Sequence, residues 1–353
     1  MCCISVGVVD ADAAPYAPAM FIFGDSLADF GNNNFIPEAK FRANITPYGI
    51  SAFPKPTGRF SDGLLTFDYI ATYLGLRSPR RFLSARSRRF SRGINFASAG
   101  SGLLDSTGKR ENIMPLRHQI EQFQKLSNNF IKAKGSKHPH GSKNAKSLIA
   151  NSLFCISTAS NDLGAFFSDT LGGQPPKEPI IAELHKIYEH YISELYKSGA
   201  RKFLVVDVPP LGCTPLARYK NSFSPGACFD LANYVTMFYN IELRDLVNRL
   251  NQNLDGASII IFKSYSYVMD MIENGEPHGF SETKQACCGS GELKVEVLCG
   301  KTTEHCEHPN THLFWDWTHP TQKAAKIFAS QIWSGNSSIM EPFNLSTLIL
   351  AGK

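Results

Sequence analysis

The chain has 353 residues, of which 43% are hydrophobic and 19% charged, and its formal net charge is +5. That is an ordinary globular composition with ample material for a large core. It holds no run approaching the roughly 20 apolar residues of a membrane helix, so no integral membrane segment is expected. Its mild positive charge comes without the interleaved aromatics or motif context of a nucleic-acid-binding module.

In chain order, residues 1–18 read as a leader. Cys2 to Val9 is apolar and Ala11 to Ala14 are small, as in a secretory signal, but the basic and long apolar regions of a full signal are missing. Either the signal is truncated or the chain stays inside the cell. The first predicted strand is Ala19 to Gly24, and Asp25-Ser26 follows at once; Asp29, Gly31 and Asn32 to Asn34 mark a polar turn. Ser26 either presents its hydroxyl at the carboxyl edge of a sheet, with its amide near a helix start, or merely caps that helix. Arg77 to Arg92 and Lys132 to Lys146 gather the positive charge. They read as solvated loops rather than contacts to a membrane or to pectin, and Gly135 to Lys146 reads as a mobile surface loop.

A second strand, Ile94 to Ala97, runs into Ser98-Ala99-Gly100-Ser101-Gly102, where glycine lets a backbone amide approach a ligand. A third, Leu153 to Thr158, runs into Ala159-Ser160-Asn161-Asp162, where the Asn161 side chain can meet developing charge. A tight turn and an Asx-type turn are the plainer readings of these two segments. Strands follow at Phe203 to Val208 and Ala257 to Phe262. Between them lie helical stripes: Leu184, Ile187, Tyr188, Tyr191, Ile192 and Leu195, then Leu231, Tyr234, Val235, Phe238, Ile241 and Val247, both expected to face the core. Five near-continuous apolar strands alternating with helices predict a three-layer α/β/α domain over 19–340, with a five-stranded parallel sheet and a tail at 341–353. Ligands of such sheets bind beyond the carboxyl ends of the strands.

Near the C-terminus stands Trp315-Asp316-Trp317-Thr318-His319-Pro320-Thr321. Pro320 fits the first position of a closing helix from Thr321 to Trp333, with His319 in the turn before it. Asp316 can reach back to the imidazole, fix its tautomer and stabilise its charged form. A serine hydroxyl needs such a base before it is a useful nucleophile. Read alone, the pair also admits a surface Asp–His contact, with core filling as the alternative reading of the tryptophans.

Of nine cysteines, Cys2 and Cys3 fall in the leader and Cys155 reads as a buried free thiol. Cys213, Cys228, Cys287, Cys288, Cys299 and Cys306 are an even set in loop-like sequence, which favours disulfides and an oxidising compartment. Asn44-Ile45-Thr46, Asn336-Ser337-Ser338 and Asn344-Leu345-Ser346 are glycosylation sequons. Cys299, His305, Cys306, His308 and His312 are crowded together, yet no Cys-x-x-Cys pair supports zinc. No metal is expected.

Four ordered blocks resemble the GDSL lipase/esterase family of the SGNH-hydrolase superfamily, especially its plant members. They are Phe23-Gly24-Asp25-Ser26-Leu27-Ala28-Asp29, Asn95 to Gly102, Ser160-Asn161-Asp162, and Phe314-Trp315-Asp316 with His319-Pro320-Thr321. Gly58-Arg59-Phe60-Ser61-Asp62-Gly63 and Pro209 to Pro215 also fit, so the likeness runs from about Met20 to Ser334. The resemblance implies a flavodoxin-like fold, usually secreted, with neither cofactor nor metal. It implies a triad of Ser26, Asp316 and His319, and an oxyanion hole from the Ser26 amide, the Gly100 amide and the Asn161 side chain. Two departures stand out. Ala159 occupies a position where the family has glycine, and the arginine-rich stretch replaces a proline-rich loop.

The expected reaction is hydrolysis of a carboxylic ester through an acyl-serine. The same intermediate also permits acyl transfer to an alcohol, and an inactive binding scaffold is the remaining alternative. The partner is then a small-molecule, lipid or polysaccharide ester, with small soluble esters favoured because no amphipathic lid is visible; a monomer is expected. A free imidazole titrates near about 6.5 and accepts a proton only when neutral, so activity is expected to fall on acidification through that range.

Overall fold

The structure is a computed structural model that describes residues 14–84, 90–135, 141–169 and 178–351. Residues 1–13 of the leader with Cys2 and Cys3, 85–89 of the arginine-rich stretch, and 136–140 of the second basic stretch lie outside the described residues.

Strands β1 (Met20–Gly24), β2 (Arg80–Arg81), β3 (Ile94–Asn95), β4 (Leu153–Ser157), β5 (Lys202–Val206) and β6 (Ser258–Phe262) pair in parallel in the order β2-β3-β1-β4-β5-β6. The five predicted strands are all present and contiguous. The sheet is nevertheless seven-stranded, because two short strands extend it: β2 at one edge, and β9 (Met340–Glu341), antiparallel to β6, at the other. Neither adds more than two residues, too short a stretch to carry an alternation signal. A small separate pair, β7 (Glu282–Ala286) with β8 (His312–Phe314), is parallel.

The strands are buried on both faces, and their side chains alternate between two cores. Phe21, Phe23, Phe154, Ile156, Phe203, Val205, Ile259 and Ile261 point to one core. That core is covered by helices α2 (Leu116–Gly135), α3 (Gly141–Asn151), α5 (Glu178–Lys197) and α7 (Asp230–Asn253). Met20, Ile22, Leu153, Cys155, Leu204, Ile260 and Phe262 point to the other, under α1 (Thr66–Tyr73), α8 (Ser264–Glu273), α9 (Gln322–Ser334) and α10 (Leu345–Leu350). Two further helices, α4 (Ser160–Asp169) and α6 (Pro215–Lys220), sit near the carboxyl ends of the strands. The architecture is thus α/β with a mainly parallel sheet between helical layers.

Several local expectations change. The segment expected as a mobile loop at 135–146 begins as the last residue of α2 and, from Gly141, is helix α3. The segment expected as a tail supplies β9 and α10, with Leu345, Leu348 and Ile349 in the second core. The closing helix starts one residue later than read: Thr321 is its N-cap, accepting a hydrogen bond from the Ala324 amide, and Pro320 precedes the cap. In α5 the expected stripe is buried, with Ile187 partly so. In α7 the stripe is rotated, because Tyr234 and Ile241 are 61% and 40% exposed. Polar residues take part of its inner face. Asn240 grips Val208 through both its amide and carbonyl, at 2.9 and 2.8 Å, and Asn233 accepts the Gly212 amide at 2.9 Å. These buried side chains satisfy the backbone of the loop after β5.

The cysteines divide as expected, with Cys155 buried and free. The others form Cys213–Cys228, Cys287–Cys306 and Cys288–Cys299. No described helix is long and apolar enough to cross a membrane.

Candidate active site

The sheet changes winding direction at β1, which lies between β3 and β4. Such a switch point opens a crevice at the carboxyl edge, and the segments after these three adjacent strands are the three N-terminal sequence blocks. Gly24 is where they meet. Its φ is +135°, and a Cβ there would lie 1.8 Å from the Ser157 carbonyl oxygen; only glycine lets β1 turn this close to β4. Its carbonyl accepts from the Ser98 amide, the Ser101 hydroxyl and the Gln119 side chain at 2.9, 2.8 and 3.0 Å.

After Gly24 the chain turns rather than entering a helix. The Leu27 amide bonds Asp25 Oδ1 at 3.0 Å, and the amides of Ala28 and Asp29 bond the Asp25 carbonyl. Ser26 therefore caps no helix; it stands partly exposed in this turn. Asp25 is buried, and burial pushes its carboxyl up to about 7 against the pull of the Leu27 amide and of nearby His319.

Polar brackets fix the blocks against one another. Asp29 accepts the amides of Gly31, Asn32 and Ala99 at 2.7, 2.6 and 3.1 Å. Asn33 donates to the Ala99 and Phe41 carbonyls. Asp162 accepts the Leu103 and Leu104 amides and the Thr107 hydroxyl, tying the third block to the second. Burial pushes Asp29 up to about 6 and raises Asp162 as well, although these donors oppose it.

The C-terminal block meets the first. His319 Nε2 lies 2.8 Å from Ser26 Oγ, and His319 Nδ1 lies 2.8 and 2.9 Å from the two oxygens of Asp316. Asp316 is fully buried and also accepts the Thr318 and His319 amides at 3.0 and 2.8 Å. Burial alone would raise its carboxyl. The His319 charge, the His319 ring N–H and those two amides outweigh burial and hold it below the usual carboxylate range. With Nδ1 occupied by a carboxylate, Nε2 is the nitrogen free to take a proton from Ser26.

Sequence reading missed four supports of this turn. Tyr48 donates its hydroxyl to Asp316 Oδ2 at 2.8 Å. Burial, then the Asp316 charge, pushes that phenol far up, so it remains a donor. Phe60 lies under the imidazole with ring centroids 4.8 Å apart. Ser61 donates to the Pro320 carbonyl, and Asp62 accepts the Gln322 amide at 2.6 Å. The stretch from Gly58 to Gly63, noted in the sequence only for its likeness, is the cradle of the His319 turn. Trp315 is buried core, as one reading of the block had it.

The oxyanion candidates lie on the loops after β3 and β4. Gly100 has φ +86°, and a Cβ there would meet the Phe41 ring at 2.5 Å. Asn161, in the first turn of α4, donates Nδ2 to the Ser101 carbonyl at 2.9 Å; a primary amide has a second N–H to offer. Ala159, at the family's glycine position, adopts φ +79°, a left-handed conformation costing an L-residue about 1–2 kcal/mol. The methyl is buried in the first core, which offsets part of that strain.

The crowded cysteines and histidines are no zinc site in this form. Cys287, Cys306 and His312 lie close enough to share an ion, but both sulfurs belong to one disulfide and offer no thiolate.

Comparison with known proteins gives a matching family and relatives. The family model described as GDSL-like Lipase/Acylhydrolase matches residues 20–332. The chain is 34% identical to GDSL esterase/lipase 6 of Arabidopsis thaliana, over 97% of its own length and 93% of that protein. It is 35% identical to GDSL esterase/lipase 7 of the same plant, over 96% and 93%. It is 32% identical to GDSL esterase/lipase 5, over 94% and 87%.

Proposed function

Because the chain belongs to the GDSL-like lipase/acylhydrolase family, whose relatives are carboxylic ester hydrolases by name, we propose that it cleaves carboxylic esters through an acyl-serine, with Ser26 as nucleophile. His319 is the base and Asp316 orients it. The observation that carries this reading is the unbroken chain of contacts from Asp316 through His319 to Ser26 Oγ.

In the first half-reaction the Ser26 hydroxyl proton passes to His319 Nε2 as Oγ attacks the ester carbonyl carbon. The negative charge on the carbonyl oxygen is met by the amides of Ser26 and Gly100 and by the second N–H of Asn161. The ester C–O bond then breaks, and His319 returns the proton to the departing alcohol. Water repeats the sequence in reverse roles, leaving the acid and free Ser26. Asp316 stays ionised throughout and stabilises the imidazolium.

We read the protein as secreted. Three disulfides support that reading, and two of the sequon asparagines, Asn44 and Asn336, are exposed. The test is labelling with a fluorophosphonate probe together with turnover of p-nitrophenyl esters of increasing chain length. Labelling at Ser26 and ester turnover are expected. An unlabelled, folded protein that turns over no ester removes the proposal.

A further inference from the structure

A cavity of about 320 Å³ opens beside the triad, between two loops that the proposed reaction does not use. Its lining includes Tyr48, Ile50, Phe53, Lys55, Lys301 and His305. Neither Ser26 nor Gly100, Asn161 or His319 lines it.

Both walls are held in place. The loop carrying Lys301 and His305 is stapled at its two ends by Cys288–Cys299 and Cys287–Cys306, whose partners are adjacent in sequence. Within it Thr303 bridges the amide and the carbonyl of Gly300, at 2.9 and 3.0 Å. The opposite loop is pinned by Gly49 and Ser51, whose amides bond the Ser61 and Asp62 carbonyls at 3.0 and 2.7 Å. A preset cavity spares a ligand the cost of ordering loops.

The chemistry of the cavity is two-sided. Ile50, half exposed, and Phe53 give apolar surface. Lys55 and Lys301 give positive charge, no acidic side chain lines the cavity, and neither lysine has a carboxylate partner among the described residues. An apolar wall with unmatched cations at its mouth complements an amphipathic anion. The volume lies at the small end of ligand pockets, which suits a single-ring acid rather than a long acyl chain.

We propose that this cavity is a second binding site, for a small aromatic carboxylate, and that its occupant modulates the triad through Tyr48. Tyr48 lines the cavity while its hydroxyl holds Asp316. A ligand that shifts Tyr48 therefore changes the hydrogen bonding of the carboxylate behind His319. The modulation rests on the ester-hydrolase reading above; the binding does not.

Binding is tested by calorimetry with 3-phenylpropanoate on the Ser26→Ala protein, which cannot turn over. One saturable site is expected, weakened at least tenfold by the double change Lys55→Glu with Lys301→Glu and abolished by Ile50→Trp, which fills the cavity. The uncharged 3-phenylpropanol should bind at least tenfold more weakly than the acid. Undiminished binding to both altered proteins, or no binding at all, overturns the site. With the unaltered enzyme, 3-phenylpropanoate should lower kcat for p-nitrophenyl acetate without raising KM. A purely competitive pattern puts the acid in the reaction cleft and overturns the modulation. If no ester is turned over, the hydrolase reading fails while calorimetry still decides the site.

Discussion

His319 Nε2 and Ser26 Oγ stand 2.8 Å apart although 293 positions separate them in sequence. The contact needs both the β1 turn and the docked C-terminal block, so it is a property of the whole fold. Replacing Ser26 with Ala should abolish fluorophosphonate labelling and lower ester turnover by about 10⁴-fold or more, since triad members act as a unit. The melting temperature should hardly move, because Ser26 Oγ bonds only His319 among the described residues. Retained turnover would remove Ser26 from the mechanism.

Tyr48→Phe removes one hydroxyl and keeps the ring. A hydrogen bond to a charged acceptor is worth about 1.5–3 kcal/mol, so kcat should fall roughly tenfold with KM nearly unchanged. The lost donor leaves more negative charge on Asp316, which favours the imidazolium. The acidic limb of the kcat/KM profile should therefore move to higher pH. An unshifted profile with normal kcat would reduce Tyr48 to packing.

Asn161→Ala tests the oxyanion hole. Loss of one such donor costs about 2.7–4 kcal/mol of barrier, that is, about 10²–10³ in kcat, with the fold retained. Full activity would leave Asn161 as a tether for the Ser101 carbonyl alone.

Asp207 gives a pH signature in stability. It is buried, Ser264 and Tyr265 donate to its Oδ1, and its Oδ2 has no partner among the described residues. Burial pushes it up to about 7, against about 3.9 in an unfolded chain. The native state thus holds a proton that the unfolded state releases. This contribution is complete below about pH 4 and is lost as pH rises through about 7. Asp207→Asn should match the parent at about pH 4 and melt a few degrees higher at pH 8.5. Equal melting at both values would contradict the shift.

The disulfides close loops of 15, 19 and 11 residues, each worth about 3 kcal/mol in the chain-entropy account. Reduction should lower the melting temperature by roughly ten degrees, read by calorimetry with and without reductant.

The central strands were legible because burial on both faces leaves a near-continuous apolar run. The contact of Ser26, His319 and Asp316 was legible because each stands in a distinctive local motif. Tyr48 was not: it is one tyrosine in a threonine- and proline-containing loop, and nothing local reports a partner 268 positions away. Strand β9 and helix α10 were lost in an apparent tail because two- and six-residue elements take their stability from the core they dock against. The α7 stripe was misphased because Asn233 and Asn240 are buried for their hydrogen bonds, which a purely apolar pattern counts as outward. Ala159 is the opposite case. Its oddity was visible in sequence, and its left-handed backbone explains why glycine would sit there more easily.

The wide separation of Ser26 and His319 also orders events during synthesis. The Ser26 hydroxyl emerges in the turn after β1, and the imidazole proposed as its proton acceptor follows only 293 positions later. A half-made polypeptide, or one clipped by a protease ahead of Trp315, carries an unarmed serine. On the proposed mechanism, arrival of the C-terminal block is therefore what arms the serine.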